Sequence, residues 1–256
     1  MSLDMHRMAR VAKSGLRSAG RFVWPSRSLV SGDHHGGDGL ISASDFSKLT
    51  FLAGAGCRGC ALPLESDLGE ANLCAACAAK PPLWSEARAA LAYDDTSRKL
   101  ILALKRAGRR EGLATYARWM NLAGGELVSN ADLIIPVPLH YRRLASRGFN
   151  QSAWLASALA REKGAAYAPD ALRRTKPTPT QGGLSARERF RNVRNAFEVR
   201  ASRAELVEDR RVLLIDDVYT TGATLKACTR ALNKGKASRV DVLVLARVVR
   251  PSDVTI

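Results

Sequence analysis

The chain is short of acidic residues, aromatic rings and long apolar runs, and each shortage removes a class of function. No uninterrupted apolar run approaches the ~18 residues that cross a bilayer as a helix, so no integral membrane segment is expected. Arg7, Arg10, Lys13, Arg17 and Arg21 break up residues 1–31 every three or four positions, which excludes the apolar core of a secretory signal and points to the cytoplasm. Aromatics make up 6% of the 256 residues, which leaves few stacking platforms for nucleobases. Asp and Glu number 24 against 40 Lys and Arg, a formal net charge of +16 with a pI near 10.3. That balance suits polyanionic partners, such as nucleic acid or phosphate-rich substrates; mere solubility is the alternative until the charges are placed. Two common phosphate motifs are also missing. There is no G-x-G-x-x-G, and Ala223 rather than lysine follows Gly222, which excludes a Walker A loop. At 46% hydrophobic and 25% charged the chain is not disordered, and its length allows one α/β domain of ordinary core size with a smaller module beside it.

What is present is concentrated in Arg211–Thr224, R-V-L-L-I-D-D-V-Y-T-T-G-A-T. Val212 to Ile215 leave no solvated face and predict a buried central strand of a parallel sheet, ended by Asp216 and Asp217. Carboxylates there stand at the carboxyl edge of the sheet, where open α/β folds bind their ligands. Thr220, Thr221, Gly222, Ala223 and Thr224 then turn into a helix predicted over Leu225–Lys234. Their small side chains leave backbone N–H groups exposed at a helix N-terminus, an anion site with room for a phosphate. A phosphate in that loop, with a diol nearby for two carboxylates to accept hydrogen bonds from, describes a ribose 5-phosphate. The bland alternative is a strand, turn and helix with an incidental acidic pair.

Four of the five cysteines form C-x₂-C-x₁₃-C-x₂-C: Cys57, Cys60, Cys74 and Cys77. This spacing presents four thiolates to one tetrahedral ion and predicts a structural zinc ribbon, closed to catalysis because protein ligands fill the shell. Disulfides are the alternative, but a chain without a secretory signal belongs in a reducing compartment. Cys228, inside the helix after the phosphate loop, reads as packing.

Pro81-Pro82 marks a boundary, giving a basic extension over 1–55, the ribbon over 56–82 and an α/β domain over 83–256. Strands are predicted at Ala87–Tyr93, Ala131–Val137 and Val240–Val249, and helices at Ser97–Lys105, Leu113–Leu127 and about Gln151–Lys163. Before the last of these helices lies an arginine-rich loop, P-V-P-L-H-Y-R-R-L-A-S-R-G-F-N-Q, suited to neutralising a second phosphate. Pro177, Pro179, Gly182 and Gly183 mark a mobile loop of the kind that acts as a lid, followed by a short basic helix over Ser185–Asn195. Tyr141–Arg200 holds 13 Lys and Arg against 4 Asp and Glu, so the positive surplus is concentrated on the phosphate side. At the other end, Leu3–Trp24 spaces apolar residues helically between basic ones, as a membrane- or nucleic-acid-binding helix or as a plain extension. Pro25–Gly39, with His34-His35, reads as a loop.

Val212–Thr224 resembles the phosphoribosyl-pyrophosphate signature of type I phosphoribosyltransferases, and with its four paired cysteines the chain resembles the ComF family, competence-associated proteins of bacteria. The resemblance implies a type I phosphoribosyltransferase-like α/β fold with a mainly parallel sheet, preceded by the zinc ribbon. It implies that Asp216 and Asp217 hold the ribose hydroxyls and that Thr220, Thr221, Gly222, Ala223 and Thr224 hold the 5′-phosphate. Arg142, Arg143, Arg147 and Asn150 would take the pyrophosphate, with His140 either helping them or simply packed, and magnesium accompanying phosphoribosyl pyrophosphate. Lys105, in the basic cluster around Gly108, matches a lysine-containing turn near the family's active site, but the cluster reads first as a solvated face. Relatives also often carry two C-x-x-C pairs ahead of the ribbon, where this chain has Ser28, Ser31, Ser42 and Asp45. Serine hydroxyls are poor zinc ligands beside thiolates, so this frame reads as a knuckle that has lost its metal.

The activity implied is transfer of phosphoribosyl to a base, as in nucleotide metabolism. Arginine and magnesium would stabilise the departing pyrophosphate, and no side chain stands out as a nucleophile. The alternative of another class is a non-enzymatic factor that binds single-stranded DNA beside other DNA-uptake proteins in competence and transformation.

Overall fold

Local sequence accounts for most elements of the computed structural model, which describes residues 26–35, 40–52, 56–64, 72–106, 110–175 and 196–249. The predicted helices at Leu3–Trp24 and Ser185–Asn195 and the lid around Pro177–Gly183 lie outside these residues. The chain divides into two units, 1–49 and 50–256.

In the first unit β1 (Ser26–Arg27) pairs antiparallel with β2 (His34–His35), so part of the segment read as loop is a small hairpin. Gly32, at φ +80°, supplies the left-handed residue that reverses the chain, and its N–H donates to the Ser28 carbonyl at 2.9 Å. A one-turn helix, Ala43–Phe46, follows with Ser42 as its cap: Ser42 Oγ accepts from the Asp45 N–H at 3.1 Å.

The second unit is built on a five-stranded sheet whose spatial order is β3 (Ala87–Ala92), β9 (Arg239–Arg247), β8 (Arg211–Tyr219), β4 (Leu133–Pro136) and β5 (Ala166–Tyr167), with every pairing parallel. β8 is central, and Leu213, Leu214 and Ile215 are fully buried, as an apolar run between two helical layers requires. Burial of each such side chain contributes roughly 1.5–3 kcal/mol. Helices Asp95–Leu104, Leu113–Ser129, Gln151–Lys163 and Ala223–Lys234 surround the sheet connections. Leu113–Ser129 approaches β9 so closely that a Cβ on Gly124 would lie 2.8 Å from Leu243 Cδ1, and the helix kinks at that residue. A separate antiparallel pair, β6 (Leu172–Arg174) with β7 (Phe197–Val199), flanks residues 176–195.

Two expectations need correction. β8 does not stop at the aspartates: its register with β9 continues from Asp216 opposite Val244 to Tyr219 opposite Arg247, because the neighbouring strand is as long. The arginine-rich segment is not all loop either. Tyr141–Arg147 is helical, as a stretch without glycine or proline and rich in Arg, Leu and Ala allows, and Gly148 at φ +75° ends it by donating to the Leu144 carbonyl at 2.7 Å.

The cysteine turns pack on this sheet within the second unit. The Ala87 N–H donates to the Arg58 carbonyl at 2.7 Å, and Cys57, Cys60 and Cys77 share one apolar cluster with Trp84, Tyr219 and Leu225. Among the described residues no helix is long and apolar enough to cross a membrane.

Candidate functional site

Asp216 and Asp217 are adjacent residues of a strand, and different elements reach each of them. Lys105, at the end of helix Asp95–Leu104, places Nζ 2.9 Å from Asp217 Oδ2. Gln151 Nε2 stands 3.4 Å from the same oxygen, and Ser152 Oγ donates to Asp216 Oδ1 at 2.9 Å. The Asp217 N–H donates to that Asp216 oxygen as well, also at 2.9 Å. Burial first, and the Asp217 carboxylate second, push the Asp216 carboxyl well above the ordinary carboxylate range; the Ser152 hydroxyl and Lys105 pull the other way without cancelling them. Among the described residues Lys105 is the cation paired with Asp217, and its pull on Asp216 does not offset burial and the second carboxylate.

Thr220 to Leu225 line one small pocket together with Asp216, Val218 and Tyr219. Gly222 caps helix Ala223–Lys234 in the left-handed conformation, φ +71°, and provides no side-chain cap hydrogen bond. Its leading N–H groups have no intrahelical partner by geometry, so they form an anion cradle next to the carboxylates. A Cβ at Gly222 would lie 2.9 Å from Tyr219 Cε2, so sterics and φ both demand glycine there.

The arginine-rich segment divides by role. Arg147 is exposed on helix Tyr141–Arg147, which also carries Arg142 and Arg143 in its backbone. Asn150 is occupied by the fold: Nδ2 donates to the Val137 carbonyl at 3.0 Å, and Oδ1 accepts from the Ser152 N–H at 3.1 Å as the cap of helix Gln151–Lys163. That cap sets Ser152 against Asp216. His140 is buried with its ring 4.3 Å from that of Tyr141.

Cys57, Cys60, Cys74 and Cys77 hold their sulfurs within 4.8 Å of one another, and Cys60 and Cys74 are 3.7 Å apart. A tetrahedral ion with sulfur bonds of about 2.3 Å has edges of ~3.8 Å, so the cluster fits a metal such as zinc. The Cys74 N–H donates to Cys57 Sγ at 3.2 Å, a contact that orients and stabilises a thiolate ligand. The serine frame also converges. Ser28 Oγ donates to Asp45 Oδ2 at 2.5 Å, and Lys48 Nζ lies 3.5 Å from the other oxygen. The Ser28 hydroxyl, with smaller help from Ser31, Ser42 and Lys48, holds the Asp45 carboxyl far below its ordinary range although it is 1% exposed.

Residues 144–253 match the phosphoribosyl transferase domain family. A DNA utilization protein of Shigella flexneri, YhgH, is 37% identical over 185 residues, 69% of this chain and 78% of the relative. The chain belongs to the ComF family. Two relatives carry competence names: competence protein F of Haemophilus influenzae, 41% identical over 116 residues (45% of this chain, 50% of the relative), and competence protein ComFC of Bacillus subtilis, 28% over 166 residues (62% and 63%). A hypoxanthine phosphoribosyltransferase from Staphylococcus aureus superposes with a TM-score of 0.33 at 16% identity, covering 57% of this chain and 68% of that one, a likeness too slight to add to the comparison.

Sequence reasoning missed three side chains at this ComF site. Gln151 and Ser152 reach the aspartates from a helix start, where a polar pair after an Asn cap was the available signal. Arg247 ends the apolar strand β9, and its position beside the acid-bearing strand could have marked it.

Proposed function

We propose that this ComF-family chain binds phosphoribosyl pyrophosphate with magnesium and transfers the phosphoribosyl group to a base. The observation that carries this reading is the shared pocket of Asp216 and the uncapped N-terminus of helix Ala223–Lys234. The 5′-phosphate sits on the N–H groups of Thr220, Thr221, Gly222, Ala223 and Thr224, and Asp216 and Asp217 accept from the ribose hydroxyls, which supply the protons this crowded pair lacks. Lys105 holds Asp217 in place for that contact. Arg142, Arg143 and Arg147 supply the positive charge for the pyrophosphate, and Asn150 acts indirectly, through its cap of the Ser152 helix. The bond from the anomeric carbon to the pyrophosphate oxygen breaks with its electron pair leaving on pyrophosphate, and the lone pair of a base nitrogen forms the new bond as that nitrogen gives up its proton to solvent. Carboxylate oxygens are the hard donors that suit magnesium, which when bound to the pyrophosphate neutralises the charge of the leaving group.

Titration calorimetry with phosphoribosyl pyrophosphate and Mg²⁺ tests this. Asp217→Asn removes a charge-assisted acceptor and weakens binding by roughly 1.5–3 kcal/mol. Gly222→Val abolishes it, because the side chain meets Tyr219 and the backbone sits at φ +71°. Equal binding by all three proteins, or none by folded wild type, overturns the reading.

A second reading is favoured by the concentration of 13 basic against 4 acidic residues between Tyr141 and Arg200. In it this basic segment holds single-stranded DNA without chemistry, in keeping with the relatives' names. Affinity for a single strand would then fall steeply with salt, and Arg187→Ala with Arg191→Ala would flatten the slope.

A further inference from the structure

An apolar strand that ends on arginine must find acceptors for the guanidinium if the residue is covered, and Arg247 is only 8% exposed. Its acceptors are backbone carbonyls from two functional regions. Nε donates to the Cys60 carbonyl at 2.9 Å, in the first cysteine turn. Nη1 donates to the Thr220 carbonyl at 3.1 Å, to that of Tyr219 at 3.4 Å and to that of Val248. Because a peptide unit is planar and trans, drawing the carbonyls of Tyr219 and Thr220 toward Arg247 turns the N–H groups of Thr220 and Thr221 the opposite way.

A second path runs through rings. The guanidinium lies 4.4 Å over the Tyr219 ring, which also meets the edge of Trp84, with centroids 5.9 Å apart, and stands where a Cβ on Gly222 would clash. Trp84 Nε1 in turn donates to the Gly59 carbonyl at 2.8 Å, inside the Cys57–Cys60 turn. A tetrathiolate site filled by a divalent ion has a net double negative charge, and Arg247 is a buried cation bonded to its first turn.

We propose that Arg247 is a positioning residue that couples the cysteine cluster to the anion loop, so that metal at the cysteines and ligand at the loop stabilise one another. Arg247 achieves this by clamping the Cys60 carbonyl and the Thr220 carbonyl to one rigid fork, so a ribbon that loosens releases the loop. Coupling of this kind is reciprocal. The ligand half of the statement rests on the phosphoribosyl pyrophosphate reading, whereas the clamp itself does not.

The test uses the full-length zinc-loaded protein. Hydrogen exchange of peptides spanning Tyr219–Leu225 is followed before and after a chelator removes zinc, with β4 as the internal control. The expected result is several-fold faster exchange in the loop and little change in β4. Arg247→Lys keeps the charge and loses the fork, so with zinc still bound it shows fast loop exchange from the start. In a second arm phosphoribosyl pyrophosphate with Mg²⁺ slows chelator-driven zinc release about fivefold or more in wild type, the low end of coupling between sites, and hardly at all in Arg247→Lys. Unchanged loop exchange on zinc removal, or an Arg247→Lys protein indistinguishable from wild type, overturns the proposal. Should Arg247→Lys lose its fold, Tyr219→Leu cuts the ring path and carries the same expectation for the loop. Absence of ligand binding to wild type by calorimetry sinks the phosphoribosyl reading alone, since the exchange arm still decides the clamp.

Discussion

Ser28, Ser31, Ser42 and Asp45 meet around one buried carboxylate, whereas Cys57, Cys60, Cys74 and Cys77 bring four sulfurs together with room for an ion. Both sets pin chain turns that a small apolar core would hold poorly. The first closes on itself, because hydroxyl donors and Lys48 satisfy the charge. The second is held by like groups that repel when ionised and so calls for a cation. Asp216 extends the contrast. It is half-buried, but the charge that acts on it most is that of another aspartate, Asp217, and its carboxyl is pushed up where that of Asp45 is held down. The charge of Asp45 is met by its own neighbours, whereas that of Asp216 is opposed by one, which is the difference the proposed ligand reading rests on.

The largest effect that would sharpen this contrast is Cys74→Ser. Structural zinc in small domains binds with about 10–16 kcal/mol, which is also folding energy, so zinc should fall from one per chain to none and the ribbon should lose its exchange protection. Metal analysis of the two proteins checks it; a second zinc in wild type would break the distinction between the clusters.

Next, Asp45→Ala strips the hydroxyls of their common acceptor and should cost the first unit ~2–4 kcal/mol, read by hydrogen exchange over residues 26–49. A protein with unchanged protection would show the serine cluster to be incidental. The same unit should weaken in acid. The folded pKa of Asp45 is depressed, so its contribution is present above the ordinary carboxylate range and is lost as pH falls through the folded value.

The smallest effect runs the opposite way. The folded pKa of Asp216 is raised, so its contribution is present below the ordinary carboxylate range and is lost as pH rises toward the raised value. Asp216→Asn should therefore stabilise the ligand-free protein by ~1 kcal/mol at about pH 8 and hardly at all near pH 4. Denaturant unfolding at the two pH values measures this, and equal effects at both would erase the contrast with Asp45.

Much of the site was legible because it is local. The apolar run before Asp216, the small residues of the loop after it and the paired cysteines are each specified within a few positions. Helix Gln151–Lys163 was readable for the same reason, between its Asn150 cap and a left-handed Gly164. The His34–His35 strand and helix Tyr141–Arg147 were not, since a short pairing and a short helix have little periodicity to read.

By itself, then, the chain's order of residues determined a parallel α/β sheet with two aspartates in one strand and an anion loop after it, and a four-cysteine cluster ahead of them. Only the tertiary structure decided what those groups touch. Ser152 meets Asp216 across 64 positions, and Arg247 meets Cys60 across 187. The reason is geometric. Strand register sets which side chains share the carboxyl edge of a sheet, and register follows from pairings between distant segments that no local pattern encodes. The charge state of Asp216 is a product of the same assembly, because burial and the facing Lys105 exist only once helix and sheet have packed.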